Sequence, residues 1–387
     1  MSDLERPGIF LARPEARGDG IALAVKDLFD TAGLVTTYGS IIFADHVPER
    51  TAESVGRVEA AGYSNVGKTN LHEFAYGITS QNPHFGTVAN PIAPGRIAGG
   101  SSGGSAAALA AHLADAALGS DSGGSIRIPA ACCGVVGFKP SYGLVSLEGC
   151  FPLAPSFDHA GPMARTVGKC VEMMQALAPG FESQAVESLE EVSVGVAWLE
   201  LADPLVRERV SAAAAFFRRA RALDLPFPEG TSVVFMREVA DVHRELFRAH
   251  ADSYGDNVRI KVERCLGVTD SAYQRGLRAL DQYRERFAEA VAAVDLVLTP
   301  TLPCVAPPVD VDDLDVRERI ISLTYPFNCL GWPALALPCG AAEDGLPASV
   351  QLAGATGTDG LVLAAGRELG RVLADPYRSP TFQKNSR

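Results

Sequence analysis

Residues 99–130 read GGSSGGSAAALAAHLADAALGSDSGGSIRIPA. Two glycine–serine clusters flank a run rich in alanine and leucine, and the path between the clusters decides the fold. Glycine lets the backbone take positive φ and bring N–H groups close to a bound group. The serines therefore read as parts of a reactive site, and a serine hydroxyl is a poor nucleophile without a base. The one histidine in the stretch is His112. The apolar spacing predicts a helix over 105–114, and AALGSD then leads into the second cluster. A helix placed there returns the chain to the same edge of a sheet.

Outward from this block, short apolar runs alternate with helical patterns. GIALAVK (20–26) reads as a buried strand ending in a lysine. TAESVGRVEAA (51–61) carries an N-cap threonine, with Val55, Val58 and Ala61 at helical spacing. Residues 63–67 are strand-like, LHEFAYGI after Asn70 reads as a helix, and IPAACCGVVGF leads into a strand. Later patterns predict a strand at 193–200, then an amphipathic helix over 203–223 with its basic residues late. Helices follow at 237–252 and 270–293, a strand at 295–303, paired core strands at 333–340 and 348–354, and a last helix at 358–372. The tail SPTFQKNSR reads as frayed. Such alternation predicts an α/β fold with helices covering a central sheet. No repeat, linker or boundary divides the chain, so residues 1–387 are expected to form one domain.

Composition narrows the function. Of the 387 residues, 47% are hydrophobic and 21% charged, an ordinary globular balance. A formal net charge of −12, with no dense Lys/Arg block, argues against a nucleic-acid partner. The N-terminal stretch lacks the apolar core of a secretion signal, and no run approaches the ~18 apolar residues of a membrane span. Eight cysteines scattered without CxxC or Cys/His metal spacing read as reduced buried thiols, and the expected compartment is the cytoplasm.

One motif misleads. GYSNVGKT, Gly62 to Thr69, satisfies GxxxxGK[ST], the pattern of a phosphate-binding loop. That loop needs a strand before its first glycine and a helix starting at the lysine. Here the preceding segment is helical and the strand-like residues lie inside the motif, which disfavours nucleotide binding.

The base is better sought at Lys26. A lysine ending an apolar strand loses hydration, which disfavours its ammonium form and lowers its pKa. Neutral lysine can then serve as general base, as in serine–lysine pairs. Asp27 need not quench it, because successive strand residues point to opposite faces. Ser125, after two glycines in DSGGSIRIP, reads either as a helix N-cap or as a nucleophile beside the convergent N–H groups of 122–125.

The chain resembles the amidase signature family. The resemblance is carried by GIALAVKDLFDTAGLVTT, GKTNLHEFAYG, GGSSGGSAAALAA, GSDSGGSIRIPAACCGVVGFKPSYGLVS, SFDHAGPMAR and PALALPCG with GLPASVQLAG, in that order. It covers essentially the whole chain, with its signature core at about 20–180. It implies a single domain around a mixed central β-sheet covered by α-helices on both faces. It also implies a triad of Lys26, Ser101 and Ser125, with a cis peptide bond entering Ser101. Ser122, Gly123 and Gly124 match the oxyanion-hole donors, and Ser102 and Asp121 would buttress the site. No metal or cofactor is implied.

Other residues have plainer readings. His72, His84 and Lys68 read as structural. Arg127 reads as a scaffold salt bridge ahead of a partner for a substrate carboxylate. Phe327 and Trp332 either line a pocket or pack the core. The main functional expectation is hydrolysis of a small-molecule carboxamide to carboxylate and ammonia or amine, by a homodimer with neither nucleic acid nor membrane as partner. Within the family the chain resembles short free-standing amidases such as indole-acetamide hydrolases. The alternative is the glutaminase subunit of a tRNA-dependent amidotransferase, for which the chain looks short between the signature region and residue 250. An amide-binding protein without turnover is disfavoured, because all three triad positions are filled.

Overall fold

The computed structural model describes residues 8–16 and 18–375; the tail read as frayed lies outside them. Strand β1 (Phe10–Ala12) is followed by β2 (Ile21–Lys26), α1 (Glu53–Ala60) and β3 (Tyr63–Thr69). A small hairpin, β4 (Gln81–Asn82) and β5 (Gly86–Thr87), precedes α2 (Gly103–Ala110). The chain continues through β6 (Ala116–Asp121), α3 (Arg127–Cys133), β7 (Val136–Lys139), β8 (His159–Ala164) and α4 (Val167–Leu177). Next come β9 (Ser193–Val196), α5 (Pro204–Ala214), β10 (Arg219–Ala222), and the helices α6 (Ser232–His250), α7 (Asp256–Leu266) and α8 (Asp270–Val291). Strand β11 (Leu296–Pro300), α9 (Asp313–Ile321), α10 (Tyr325–Cys329), β12 (Ala334–Ala341), β13 (Pro347–Ala353) and α11 (Asp359–Leu373) complete it.

Eleven strands form one mixed sheet in the order β1-β3-β2-β6-β8-β7-β12-β13-β11-β9-β10. Strands β3, β2 and β6 run parallel, the middle of the sheet is antiparallel, and β11, β9 and β10 are parallel again. Successive side chains of a strand point to opposite faces, and the central strands β6, β7, β8 and β11 are buried at every position because both faces are covered. In β2, Ala22 and Ala24 pack with the alanines of α2, whereas Leu23 and Val25 share a cluster with Val55 and Val58 of α1. Small residues on the α2 side let that helix lie close to the sheet. At its start a Cβ on Gly104 would stand 2.4 Å from the Asn70 carbonyl oxygen, so only glycine fits there.

The structure amends several local readings. Ala52, not Thr51, is the N-cap of α1, and the Thr51 hydroxyl accepts instead from the Ala32 N–H at 3.1 Å. LHEFAYGI forms only a single 3₁₀ turn, with Phe74 and Ala75 at positive φ. Residues 203–223 divide into α5 and the edge strand β10, which takes the basic residues RARA. IPAACC, which leads into a strand as expected, is itself helical, and that strand starts at Val136. All eight cysteines are free. Among the described residues, no helix is long and apolar enough to cross a membrane.

Candidate active site

Lys26 closes β2 and is fully buried. Its Nζ lies 2.7 Å from Ser101 Oγ and 2.8 Å from Ser120 Oγ. Burial strips the ammonium of water and lowers its pKa to about 7, against the opposing pull of Cys150, Asp121 and Asp158. A neutral amine offers two N–H donors and one lone pair, so it can donate to one hydroxyl and accept from the other. Asp27 does not interfere: its Oδ2 accepts from the Thr37 N–H and hydroxyl at 2.8 and 2.6 Å. Its Oδ1 faces Lys68 Nζ at 3.2 Å. Lys68 donates in addition to Phe29 O and Thr36 Oγ1, at 2.5 and 2.7 Å. The lysine of GYSNVGKT is thus locked inside strand β3, with no helix starting at it and no free amine for a phosphate.

The two glycine–serine clusters meet beyond the C-terminal ends of the interior strands β2 and β6. The peptide bond entering Ser101 is cis. The Ser102 N–H donates to Ser125 O at 3.2 Å, and its hydroxyl donates to Ser120 O at 3.1 Å. Ser125 lies two residues before α3 and is 7% exposed. Its hydroxyl makes no hydrogen bond to another described residue, so nothing in the scaffold ties it down.

The loop between β6 and α3 hangs on Asp121. Its Oδ1 accepts from the Gly124 N–H at 2.8 Å, and its Oδ2 from the Ile126 N–H at 3.1 Å. Arg127 grips the same carboxylate in a fork, Nε to Oδ2 at 3.0 Å and Nη2 to Oδ1 at 2.9 Å. Burial alone would raise the Asp121 pKa, but Arg127, Lys139 and Asn328 hold it well below the usual carboxylate range. The other Arg127 donors go to Thr324 O, Gln351 Oε1 and Asn328 Oδ1, at 2.9, 2.8 and 2.7 Å. All five guanidinium donors are spent inside the scaffold, which leaves none for a substrate carboxylate.

One expectation is corrected here. The Gly124 N–H, matched to the oxyanion hole, belongs to Asp121 instead. Gly124 serves the backbone path: at φ +133, with a notional Cβ only 2.3 Å from Thr324 Oγ1, it makes the bend that no other residue could. The N–H groups of Ser122, Gly123 and Ser125 have no acceptor among the described residues. The Ser122 hydroxyl donates to Asp158 Oδ1 at 2.5 Å, and the Leu153 and Ala154 N–H groups donate to Oδ2 of the same carboxylate at 2.9 and 3.1 Å.

Sequence reasoning missed Ser120 and Asp158, together with Thr324, Asn328 and Gln351. The signal for Ser120 is the pairing of β2 with β6, where Val25 faces Leu118. That register sets the end of β2 beside residue 120, but it is visible only once the strands are known to be neighbours. Among the described residues no histidine ring hydrogen-bonds Lys26, Ser101 or Ser125. His112 is exposed just past α2, at φ +57. Burial pushes the His72 pKa down to about 4, and His84 Nε2 lies 2.9 Å from Glu73 Oε1. Phe327 is buried against Trp198 and Phe287, and Trp332 meets Phe287 edge-on at 5.2 Å, so both pack the core. A cavity of 290 Å³ lies against Gly123, and one of 150 Å³ is lined by Ser120, Ser122, Cys150 and Asp158.

A buried lysine thus touches the serine of one glycine-rich turn, beside a second such turn. The family described as amidase matches residues 13–197 and 181–363, and the chain belongs to it. The A subunit of a glutamyl-tRNA(Gln) amidotransferase from Halobacterium salinarum is 35% identical over 87% of this chain and 91% of its own length. The crystal structure of an amidase is 38% identical, with a TM-score of 0.84 over 91% of this chain and 84% of that one. The corresponding amidotransferase protein of Thermotoga maritima is 28% identical, with a TM-score of 0.82 over 96% of this chain and 88% of that one.

Proposed function

We propose that the chain cleaves a carboxamide C–N bond through an acyl-enzyme on Ser125, with neutral Lys26 as general base acting through Ser101. The observation that carries this reading is the buried Lys26 amine in contact with the Ser101 hydroxyl, its pKa brought down to about 7. In this scheme Lys26 takes the Ser101 proton as Ser101 takes that of Ser125. The Ser125 oxygen then adds to the amide carbonyl. N–H groups of Ser122, Gly123 and Ser125 are the donors available to the resulting oxyanion. The relayed proton leaves with ammonia or an amine, and water hydrolyses the ester. Ser120 orients the lysine, while Ser102, Asp121 and Arg127 hold the loop.

Because the base works unprotonated, kcat/KM should climb with pH through about 7 and level off above it. Lys26→Met should cut kcat/KM by about 10³-fold and abolish that rising limb. A wild-type profile that stays flat across this range, measured by ammonia release, would remove the lysine from the role of base.

The names of the relatives support glutamine as the amide, with its ammonia passed to a partner protein. This amidotransferase reading has more behind it than a free-standing small-molecule hydrolase. The apparent shortness of the chain does not oppose it, since the match spans 91% of the Halobacterium relative. A charged tRNA would then be met by the assembly, and the acidity of this chain says only that it supplies no basic face of its own. In this account a hetero-complex replaces the homodimer. The free-standing reading keeps the support of the 38% identical structure named simply as an amidase. Glutaminase activity that rises on adding amidotransferase partner proteins supports the first reading; brisk hydrolysis of simple aliphatic amides without glutamine turnover returns the second.

A further inference from the structure

We infer that the cavity against Gly123 binds the carboxylate of an amide substrate whose acyl part carries a single negative charge, with Arg264 and Arg317 as the recognising side chains. This rests on the amidase reaction proposed above and not on glutamine as the donor.

The cavity adjoins the reaction centre. Gly123 forms one wall, two residues from Ser125, and Tyr325 forms another; the Tyr325 ring would stand 3.8 Å from a Cβ on Gly123. Phe235, Met236 and Ile321 make much of the remaining lining apolar. The charged lining is one-sided: Lys261, Arg264 and Arg317 stand against Glu318 alone. Lys261 is already committed, donating to Tyr76 O at 2.9 Å, Asn257 Oδ1 at 2.6 Å and Asp313 Oδ2 at 2.5 Å. Glu318 lies 3.4 Å from Arg317, and its side chain is 86% exposed, so water screens it.

That leaves the two arginines. The Arg264 side chain, on α7, makes no hydrogen bond or ion pair with another described residue. Arg317, on α9, packs its guanidinium over the Tyr76 ring at 5.7 Å, and its side chain is only 21% exposed. A planar guanidinium fork with unspent donors matches a carboxylate in two parallel hydrogen bonds. An ammonium group entering the same space would meet two guanidiniums and one carboxylate that is already paired. The chemistry therefore suits a monoanion, such as the monoamide of a dicarboxylic acid, at least as well as a zwitterion.

The test follows ammonia release from glutaramate, glutamine and the neutral pentanamide. Glutaramate should exceed pentanamide in kcat/KM by about tenfold or more, the scale of a charge-assisted hydrogen bond, and should not fall below glutamine. Arg264→Gln and Arg317→Gln should each raise KM for glutaramate about tenfold and leave pentanamide within about twofold. Equal use of pentanamide, equal losses on both amides in the variants, or a preference for glutamine over glutaramate would each overturn the assignment. Should no amide release ammonia, the amidase reading fails, and calorimetry with glutarate still decides the cavity. Glutarate binding that disappears in the double arginine variant upholds it, and no glutarate binding by the wild-type chain overturns it.

Discussion

Ser125→Ala should lower ammonia release by about 10⁴–10⁶-fold while leaving the melting temperature almost unchanged. The size of the loss follows from the proposed chemistry, since alanine has no atom to carry the acyl group and the remaining oxyanion donors cannot replace it. The stability forecast comes from the surroundings of Ser125. Its hydroxyl holds no hydrogen bond to another described residue, and its contact with Ser102 runs through its carbonyl, which alanine keeps. Turnover assays and a thermal melt on one preparation suffice. Activity within about a hundredfold of the parent protein would remove Ser125 as nucleophile, since loss of a catalytic serine costs far more than that.

The largest structural effect is expected at Arg127. Arg127→Met should lower stability by about 3–5 kcal/mol, because it leaves the buried Asp121 carboxylate without its cation. Four groups would lose their guanidinium partner at once: the Asp121 carboxylate, Thr324 O, Gln351 Oε1 and Asn328 Oδ1. Asp121 also fixes the Gly124 N–H, so the slackened loop should reduce kcat besides. Arg127→Lys should rescue little, since an ammonium has three donors where five are used. A variant with unaltered melting and a raised KM would instead make Arg127 a substrate ligand.

Much of the sheet could be read locally. β2, β11, β12 and β13 are short apolar runs whose neighbours along the chain are enough to declare them strands. The reading failed where distant partners outbid local propensity. LHEFAYGI has helical spacing, yet Glu73 accepts from the Ser40 hydroxyl and the Gly255 N–H and faces His84, contacts that a continuing helix would break. The helix begun at Pro204 stops at Ala214 because Phe217 turns into the core and Arg219–Ala222 pair with β9. Neither partner is near in sequence.

The sequence alone determined the chemical types at the site: two serines in glycine-rich turns, and one lysine at the end of a strand apolar enough to desolvate it. It also located the connecting helix, expected over 105–114 and formed by Gly103–Ala110. The tertiary structure decided which atoms meet. Strand order set β2 beside β6 and so gave Lys26 a second hydroxyl in Ser120. The Asp121–Arg127 clamp engaged the Gly124 N–H and fixed which scaffold groups, Thr324, Asn328 and Gln351 among them, take the remaining donors of an arginine already read as structural. The physical reason is the same in both cases. Hydrogen-bond donors are finite, and which of them stay free depends on partners from strands and helices as distant as residues 324–351.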